Sequence, residues 1–411
     1  MGDGNWSVSK EILGWIINSA SGTISLSPKR ITDLTSLLDI PPTQHRMSRK
    51  KLERLIGKLR SMHLAVPGAI GHFYHIQMAL TKANQRTAYL SKGFHQDVAH
   101  WRLLCSRMQQ RPTYLAEIVQ RLPTDLGYTD ASGIGGGGVW LNPNKDGNHH
   151  VWRLQWPDDI KSDLVSVTNP RGRITNSDLE LAALVLHEAT FPAVCASSEC
   201  RAPLTGSDNT PTVSWTFKEA STINPVVANL LRIRSITNTN ASISPAVFYH
   251  PGALNTMADD ASRLFHLSNP SFLSTFSRKY TPQQSPSSWT LCLPPKDVIS
   301  SVISALRGQR SEGVMFPTLA PSTSTSSGHP SAPTSKWTTG FQTLAHLPSN
   351  SFKCMDTGFV TDTTPSNLVS GQTRLQRRGE LSPRPTYWKA YLTPENGQDH
   401  PPRTSTSGWL E

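Results

Sequence analysis

Several things are scarce in this 411-residue chain, and each shortage excludes something. Cysteine occurs at only five positions, Cys105, Cys195, Cys200, Cys292 and Cys354. The count is odd and the positions are scattered, which argues against a secreted disulfide framework and for free thiols in a reducing compartment. Cys195 and Cys200 form a close pair, but no second Cys/His pair completes a metal site. No apolar run approaches the length of a bilayer span, and the N-terminus has no signal-peptide apolar core. The expectation is a soluble intracellular protein of the cytoplasm or nucleus, with no membrane partner. Charged residues make up 17% and hydrophobic residues 36%, both low for a fully globular chain, so part of the chain should lack a core.

What is present is a basic excess. The formal net charge is +11, which favours a polyanionic partner, because Lys and Arg release counterions from phosphates. Proline numbers 31 and is unevenly spread. Residues 321–335 alternate Ser, Thr, Pro and Gly and read as low complexity, so 267–411 is expected to be a mostly disordered tail. One helix is expected there, at Val298–Leu306.

Residues 10–26 read as a hairpin about a Ser-Gly turn. Pro28 opens a helix with Ile31, Leu34, Leu37 and Leu38 on one face. Ser48 caps a second helix with Leu52, Leu55, Ile56, Leu59 and Met62 as its apolar stripe. The polar face of that helix carries Arg49, Lys50, Lys51, Arg54 and Lys58. Those charges are either a solvated face or a track for backbone phosphates. Pro67-Gly68 ends the helix; others pass through Phe73, Ile76 and Leu80, and through 96–110 with Trp101 and Leu104 inward. Residues 1–121 thus read as an accessory unit, a small hairpin plus helices.

From Asp125 the pattern changes to β-β-β-α-β-α-β-α. Strands fit 126–130, a run entered through Gly135–Gly138, 151–156, 201–207 and 246–249. Helices fit Asn176 or Ser177 to Pro192, 223–236, and a short last one carrying Asp259. This is an α/β unit, an α+β mixed sheet flanked by helices, over 122–266. The glycine run has no Gly-Lys-Ser/Thr after it, so close strand approach or a bulge explains it better than a phosphate loop. Trp140, Trp152 and Trp156 suit packing better than base stacking.

Four carboxylates fall at element ends: Asp130, Glu180, Asp208 and Asp259. Each has a bland role available. Asp130 is a turn residue, Glu180 a helix-dipole partner, and Asp208 and Asp259 helix caps. Together they sit where a strand end and helix starts would gather on one side of a sheet, the place where open sheets bind ligands. Clustered carboxylates are what a pair of Mg²⁺ ions needs for phosphodiester cleavage, because the ions are hard and prefer oxygen.

The stretches Tyr128-Thr129-Asp130-Ala131-Ser132, Glu180-Leu181-x-Ala183, Ser207-Asp208-Asn209 and Asn255-x-x-Ala258-Asp259-x-x-Ser262-Arg263 resemble the ribonuclease H region of retrotransposon polyproteins. They are most similar to the DIRS-like, tyrosine-recombinase class. Leu13-Gly14-Trp15, Thr23-Ile24-x-Leu26, Leu55-x-Gly57-Lys58-Leu59 and Val66-Pro67-Gly68 resemble the reverse-transcriptase thumb and connection that follow the polymerase palm. The resemblance implies a ribonuclease H-like domain and an endonuclease cleaving the RNA strand of RNA–DNA hybrids. Two Mg²⁺ ions, with Mn²⁺ as the alternative, would be held by Asp130, Glu180, Asp208 and Asp259. Asn209 would contact the hybrid's minor groove.

Two departures stand out. The family's auxiliary His in the loop before the last Asp is replaced by Ala253, with His250 nearby as a substitute or a structural histidine. No Tyr-x-Asp-Asp run occurs, so no DNA synthesis is expected. The chain then resembles the downstream fragment of a longer polyprotein, begun at a fortuitous or trimmed Met1, with the upstream polymerase domain as a partner. Two rival readings stay open. One is a catalytically decayed nucleic-acid-binding remnant. The other is an integrase-type strand-transfer domain, disfavoured because the Glu comes second in order.

Overall fold

The computed structural model describes residues 7–309 apart from 67, 111–112, 120–122, 124, 142–147, 196–201, 219–223 and 281–287. Cys200, Cys354, the 321–335 stretch and the rest of the expected tail from 310 onward lie outside the described residues.

Three strands open the chain: β1 (Ser9–Ile12), β2 (Trp15–Asn18) and β3 (Thr23–Leu26). The expected hairpin is β2–β3, closed through Gly22 at φ +60. A second hairpin precedes it. Leu13 and Gly14 both take positive φ (52° and 81°) between the paired Ile12 and Trp15, the backbone of a two-residue primed turn. Then follow α1 (Pro28–Leu38), β4 (Arg46–Ser48), α2 (Arg49–Met62), α3 (Tyr74–Thr81), β5 (Thr87–Tyr89), α4 (Lys92–Gln110), β6 (Thr113–Tyr114) and α5 (Leu115–Ile118). Ser48 caps α2 as expected, its hydroxyl accepting from the Lys51 N–H at 3.3 Å. The α2 stripe Leu52, Leu55, Ile56, Leu59 and Met62 is buried, and Trp101 and Leu104 face the same core from α4. Helix α4 starts one turn before the expected Gln96, because the Ser91 hydroxyl caps Phe94 at 3.2 Å.

The larger sheet comes next: β7 (Asp125–Ala131), β8 (Gly135–Leu141), β9 (His149–Gln155), β10 (Pro203–Ser207), β11 (Ala246–Tyr249) and β12 (Trp289–Leu291). Its order is β11-β10-β7-β8-β9-β12. Strands β7, β8 and β9 are antiparallel, while β10 and β11 run parallel to β7 and β12 runs parallel to β9. The helices are α6 (Asp158–Ser162), α7 (Asn176–Val194), α8 (Thr210–Lys218), α9 (Pro225–Ala241), α10 (Thr256–Arg263), α11 (Asn269–Tyr280) and α12 (Lys296–Leu306). Helices α7, α9 and α12 pack together on one face, and α10 lies across β7, β8 and β9 on the other.

Alternation along β8 decides the layers. Val139 joins Val151, Ala261, Phe272 and Phe276 beneath α10 and α11. Trp140 points the other way and stacks on His187 of α7, ring centroids 3.9 Å apart. The three tryptophans pack, as expected, and each indole N–H has an acceptor: Thr190 for Trp140, His187 Nδ1 for Trp152 and the Ser132 carbonyl for Trp156.

The glycine run lies inside β8, and close approach explains it. A Cβ on Gly137 would sit 2.5 Å from the Ala261 carbonyl carbon and 2.7 Å from the Ser262 nitrogen, so α10 can lie flat on the sheet only over a glycine.

The ordered body continues past 266, where the sequence suggested fading order. Helix α11 carries Phe272, Phe276 and Tyr280 at helical spacing, and α12 spans the expected helix. Buried Arg153 fastens the connection. Its guanidinium donates to the Leu264 and Leu267 carbonyls at 2.8 and 2.6 Å and lies 4.3 Å over the Phe272 ring.

Burial holds His187 neutral, down to about 3 from its ordinary value. The unfolded chain takes up this proton near pH 6.5 and the folded protein does not, so stability is full above that pH and falls as pH drops toward 3. Between pH 6.5 and 5 the loss is about 2 kcal/mol. His187→Gln, which keeps an acceptor for Trp152, is expected to flatten that limb in urea unfolding measured across pH.

Candidate metal site

Strand register brings two of the carboxylates together. Tyr128 of β7 pairs with Gly206 of parallel β10, so Asp130 and Asp208, two residues further on each, emerge at the same carboxyl end. Helix α7 begins at that end. Its start is fixed by a capping box in which the Thr175 hydroxyl accepts from the Asp178 N–H and the Asp178 carboxylate accepts from the Thr175 N–H at 2.9 Å. Asp178 also receives the Asn224 amide at 3.0 Å, tying the α9 cap to the α7 cap. Glu180 therefore enters the site from a rigid helix start.

Asp130, Glu180 and Asp208 offer one carboxylate oxygen each within 4.8 Å of one another. Asp130 and Glu180 are buried and Asp208 is half-buried. Their acidities show the strain of that company. Burial first, then the charges of Asp130 and Asp208, push Glu180 up to about 9. Burial raises Asp130 to about 6 against the opposing hydrogen bond from Ser262, with Asp208 and Asp259 adding repulsion. Asp208 is raised too, chiefly by burial.

The fourth carboxylate is placed differently. Asp259 stands in the first turn of α10, and its charge is felt at Asp130 and Asp208. Its carboxylate, however, pairs with Arg263 one turn on, at 2.6 Å. The structure thus gathers the expected set as three plus one.

The bland roles go to neighbours. Asn209, not Asp208, caps α8, its side-chain oxygen accepting from Thr212 N–H at 2.9 Å while its amide donates to Ser177 at 3.3 Å. Asp260 accepts from Lys279 and Tyr280 at 2.7 and 2.9 Å, joining α10 to α11. His250 follows β11, its ring 4.6 Å from that of Tyr128, and its positive form would ease the charge on Asp208.

Three contributors stand in the quoted Asn255–Arg263 motif but carried no site role in the sequence reading. The Ser262 hydroxyl donates to Asp130 at 2.6 Å, Arg263 holds Asp259, and the Asn255 amide donates to the Thr129 carbonyl at 3.0 Å. Their spacing was the available signal, since Ser262 and Arg263 are i+3 and i+4 from Asp259 on one helix face. On α2, Lys50, Lys51 and Arg54 are exposed and Lys58 is half-buried, whereas Arg49 pairs with Glu53 at 2.8 Å.

The donor set fits a hard divalent cation. It is all oxygen, it concentrates negative charge, and Glu180 Oε2 is buried with no hydrogen-bond partner. Among the described residues, no helix is long and apolar enough to cross a membrane.

No family model matches the chain, and no curated protein matches it. Among solved structures, it is similar to the foamy viral protease-reverse transcriptase in complex with RNA/DNA hybrid, at 12% identity and TM-score 0.26, over 60% of this chain and 29% of that one. It is also similar to the foamy viral protease-reverse transcriptase in complex with dsDNA, at 11% identity and TM-score 0.25, over 60% of this chain and 45% of that one. The chain spans less than half the length of these solved structures.

Proposed function

We propose that this chain is a ribonuclease H-type, metal-dependent endonuclease that cleaves the RNA strand of RNA–DNA hybrids. In this reading it is the ribonuclease H-like part of a retroelement polyprotein, most like the DIRS-like class, with a thumb-like segment ahead of it. The supporting observation is the convergence of Asp130, Glu180 and Asp208 at one end of adjacent parallel strands, with a buried carboxylate oxygen left over. Asp130 would touch both Mg²⁺ ions, Glu180 and Asp208 the first, and Asp259 the second. When bound, the ions would supply positive charge to the scissile phosphate and lower the pKa of the attacking water.

The protein's own groups do the positioning. Ser262 fixes the Asp130 carboxylate, and the α7 capping box fixes Glu180. Arg263 holds Asp259 at the rim through their 2.6 Å ion pair. His250, whose charge acts on Asp208, would serve as the auxiliary group at the site edge. Exposed Lys50, Lys51 and Arg54, with Lys58, would track substrate phosphates, and Asn209 would face the minor groove.

Ser262→Ala is expected to leave the fold intact and to slow hybrid cleavage by about ten- to a hundredfold, with a higher Mg²⁺ requirement, because Asp130 loses its orienting donor. A Mg²⁺ titration of cleavage rate checks it. An unchanged Mg²⁺ dependence would remove Ser262 from the site.

A further inference from the structure

A second cluster of ligand-type side chains lies in the N-terminal part. His72, Asp97 and His100 each offer one donor atom within 4.8 Å of the others. His72 ends the 3-10 turn Ala69–His72, while Asp97 and His100 stand at i and i+3 on α4. His72 and Asp97 are 0% and 1% exposed, and His100 is half-buried. The His72 and His100 rings lie parallel, 4.6 Å apart.

The surroundings orient these groups. The His100 Nδ1 meets the Gln96 carbonyl at 2.7 Å, so Nδ1 carries the proton and Nε2 the lone pair. Asp97 Oδ2 accepts from the His75 backbone N–H at 3.0 Å and meets His75 Nδ1 at 3.1 Å. Gly93, one turn earlier on α4, leaves the space for that ring, since a Cβ there would sit 2.2 Å from it.

We propose that His72, Asp97 and His100 bind one divalent cation of the zinc class, which staples the 3-10 turn to α4. Two neutral imidazoles and a carboxylate are a zinc donor set. A ligand histidine that donates its other N–H to a backbone carbonyl, and a carboxylate held by a further donor, are the usual supports of such a set. Because an imidazole lone pair lies in its ring plane, binding turns one ring out of the parallel stack, and with bonds of the usual length the donor atoms then close to about 3.3 Å apart in a tetrahedral arrangement. Donor chemistry separates the two sites: the all-oxygen cluster suits Mg²⁺ and this one suits zinc. A histidine–aspartate network serving packing alone would produce the same burial but hold no ion.

The test uses the tag-free full chain carrying Asp130→Asn and Glu180→Gln, so that the oxygen cluster does not compete. Co²⁺ is titrated in and followed by its visible absorption, then displaced with Zn²⁺. One equivalent is expected, with strong tetrahedral bands lost on adding Zn²⁺. His100→Phe, which keeps the stacked ring at a half-buried position, and Asp97→Asn should each weaken binding a hundredfold or more. If a folded protein takes up no stoichiometric Co²⁺ or Zn²⁺, or if His100→Phe binds as tightly, the proposal fails. Circular dichroism identifies any variant that does not fold, and His100→Phe alone then decides.

Discussion

Glu180→Gln is expected to raise the melting temperature of the chelator-treated protein at pH 7 while severely slowing cleavage. A carboxyl held up at about 9 keeps its proton in the folded state after the unfolded chain has lost it. Its contribution to stability is therefore full below about pH 4.5 and declines as pH rises toward 9. At pH 7 the accumulated cost is about 3 kcal/mol, which the neutral amide avoids. Cleavage should fall at least about a thousandfold, because several kcal/mol of charge stabilisation goes with the ligand. Mg²⁺ should stabilise the native protein more at pH 8 than at pH 5 and should do little for the variant. Scanning calorimetry with EDTA and with Mg²⁺ at both pH values checks this. A variant less stable than the parent in EDTA would mean that Glu180 is a structural acid.

Glu188→Ala should destabilise the fold by about 3–5 kcal/mol, the largest stability effect expected of a single polar substitution here. Arg234 on α9 donates to both Glu188 oxygens on α7, at 2.8 and 2.9 Å, and Asn238 adds a third bond at 2.7 Å. Both partners of the pair are buried, so removing the acid leaves a buried guanidinium without its carboxylate between the two helices that back the sheet. Replacing both residues with Met should recover most of the loss, since an ion pair in such surroundings is held as much by the cost of breaking it as by its own worth. Urea unfolding of the single and double variants measures the coupling. Equal losses in Glu188→Ala and the double variant would contradict it.

Much of this was legible in the sequence where a local rule acts alone. Ser48 capping α2, the buried stripe of α2 and strand β11 follow from capping and periodicity. The turn chemistry of Leu13-Gly14 was harder to see, because a leucine at positive φ breaks the usual Asn-Gly signal. Order beyond Leu267 depends on Arg153, more than a hundred residues away, gripping the Leu264 and Leu267 carbonyls, and no local pattern announces that. The aromatic spacing of Phe272, Phe276 and Tyr280 was the one local hint. At the candidate site, Asp130 and Asp208 could be paired by their strand-end positions, but the Asp259–Arg263 contact is a choice of side-chain rotamer, which spacing leaves open.

The central claim is tested most directly with a duplex whose RNA strand is labelled at one end and whose DNA strand is labelled at the other. The full chain should cut the RNA strand internally in Mg²⁺, leave the DNA strand whole, and do neither in EDTA or with Asp130→Asn. Tight binding of the hybrid by a folded protein that never cuts it in Mg²⁺ or Mn²⁺, or cutting that persists in Asp130→Asn, would contradict the account.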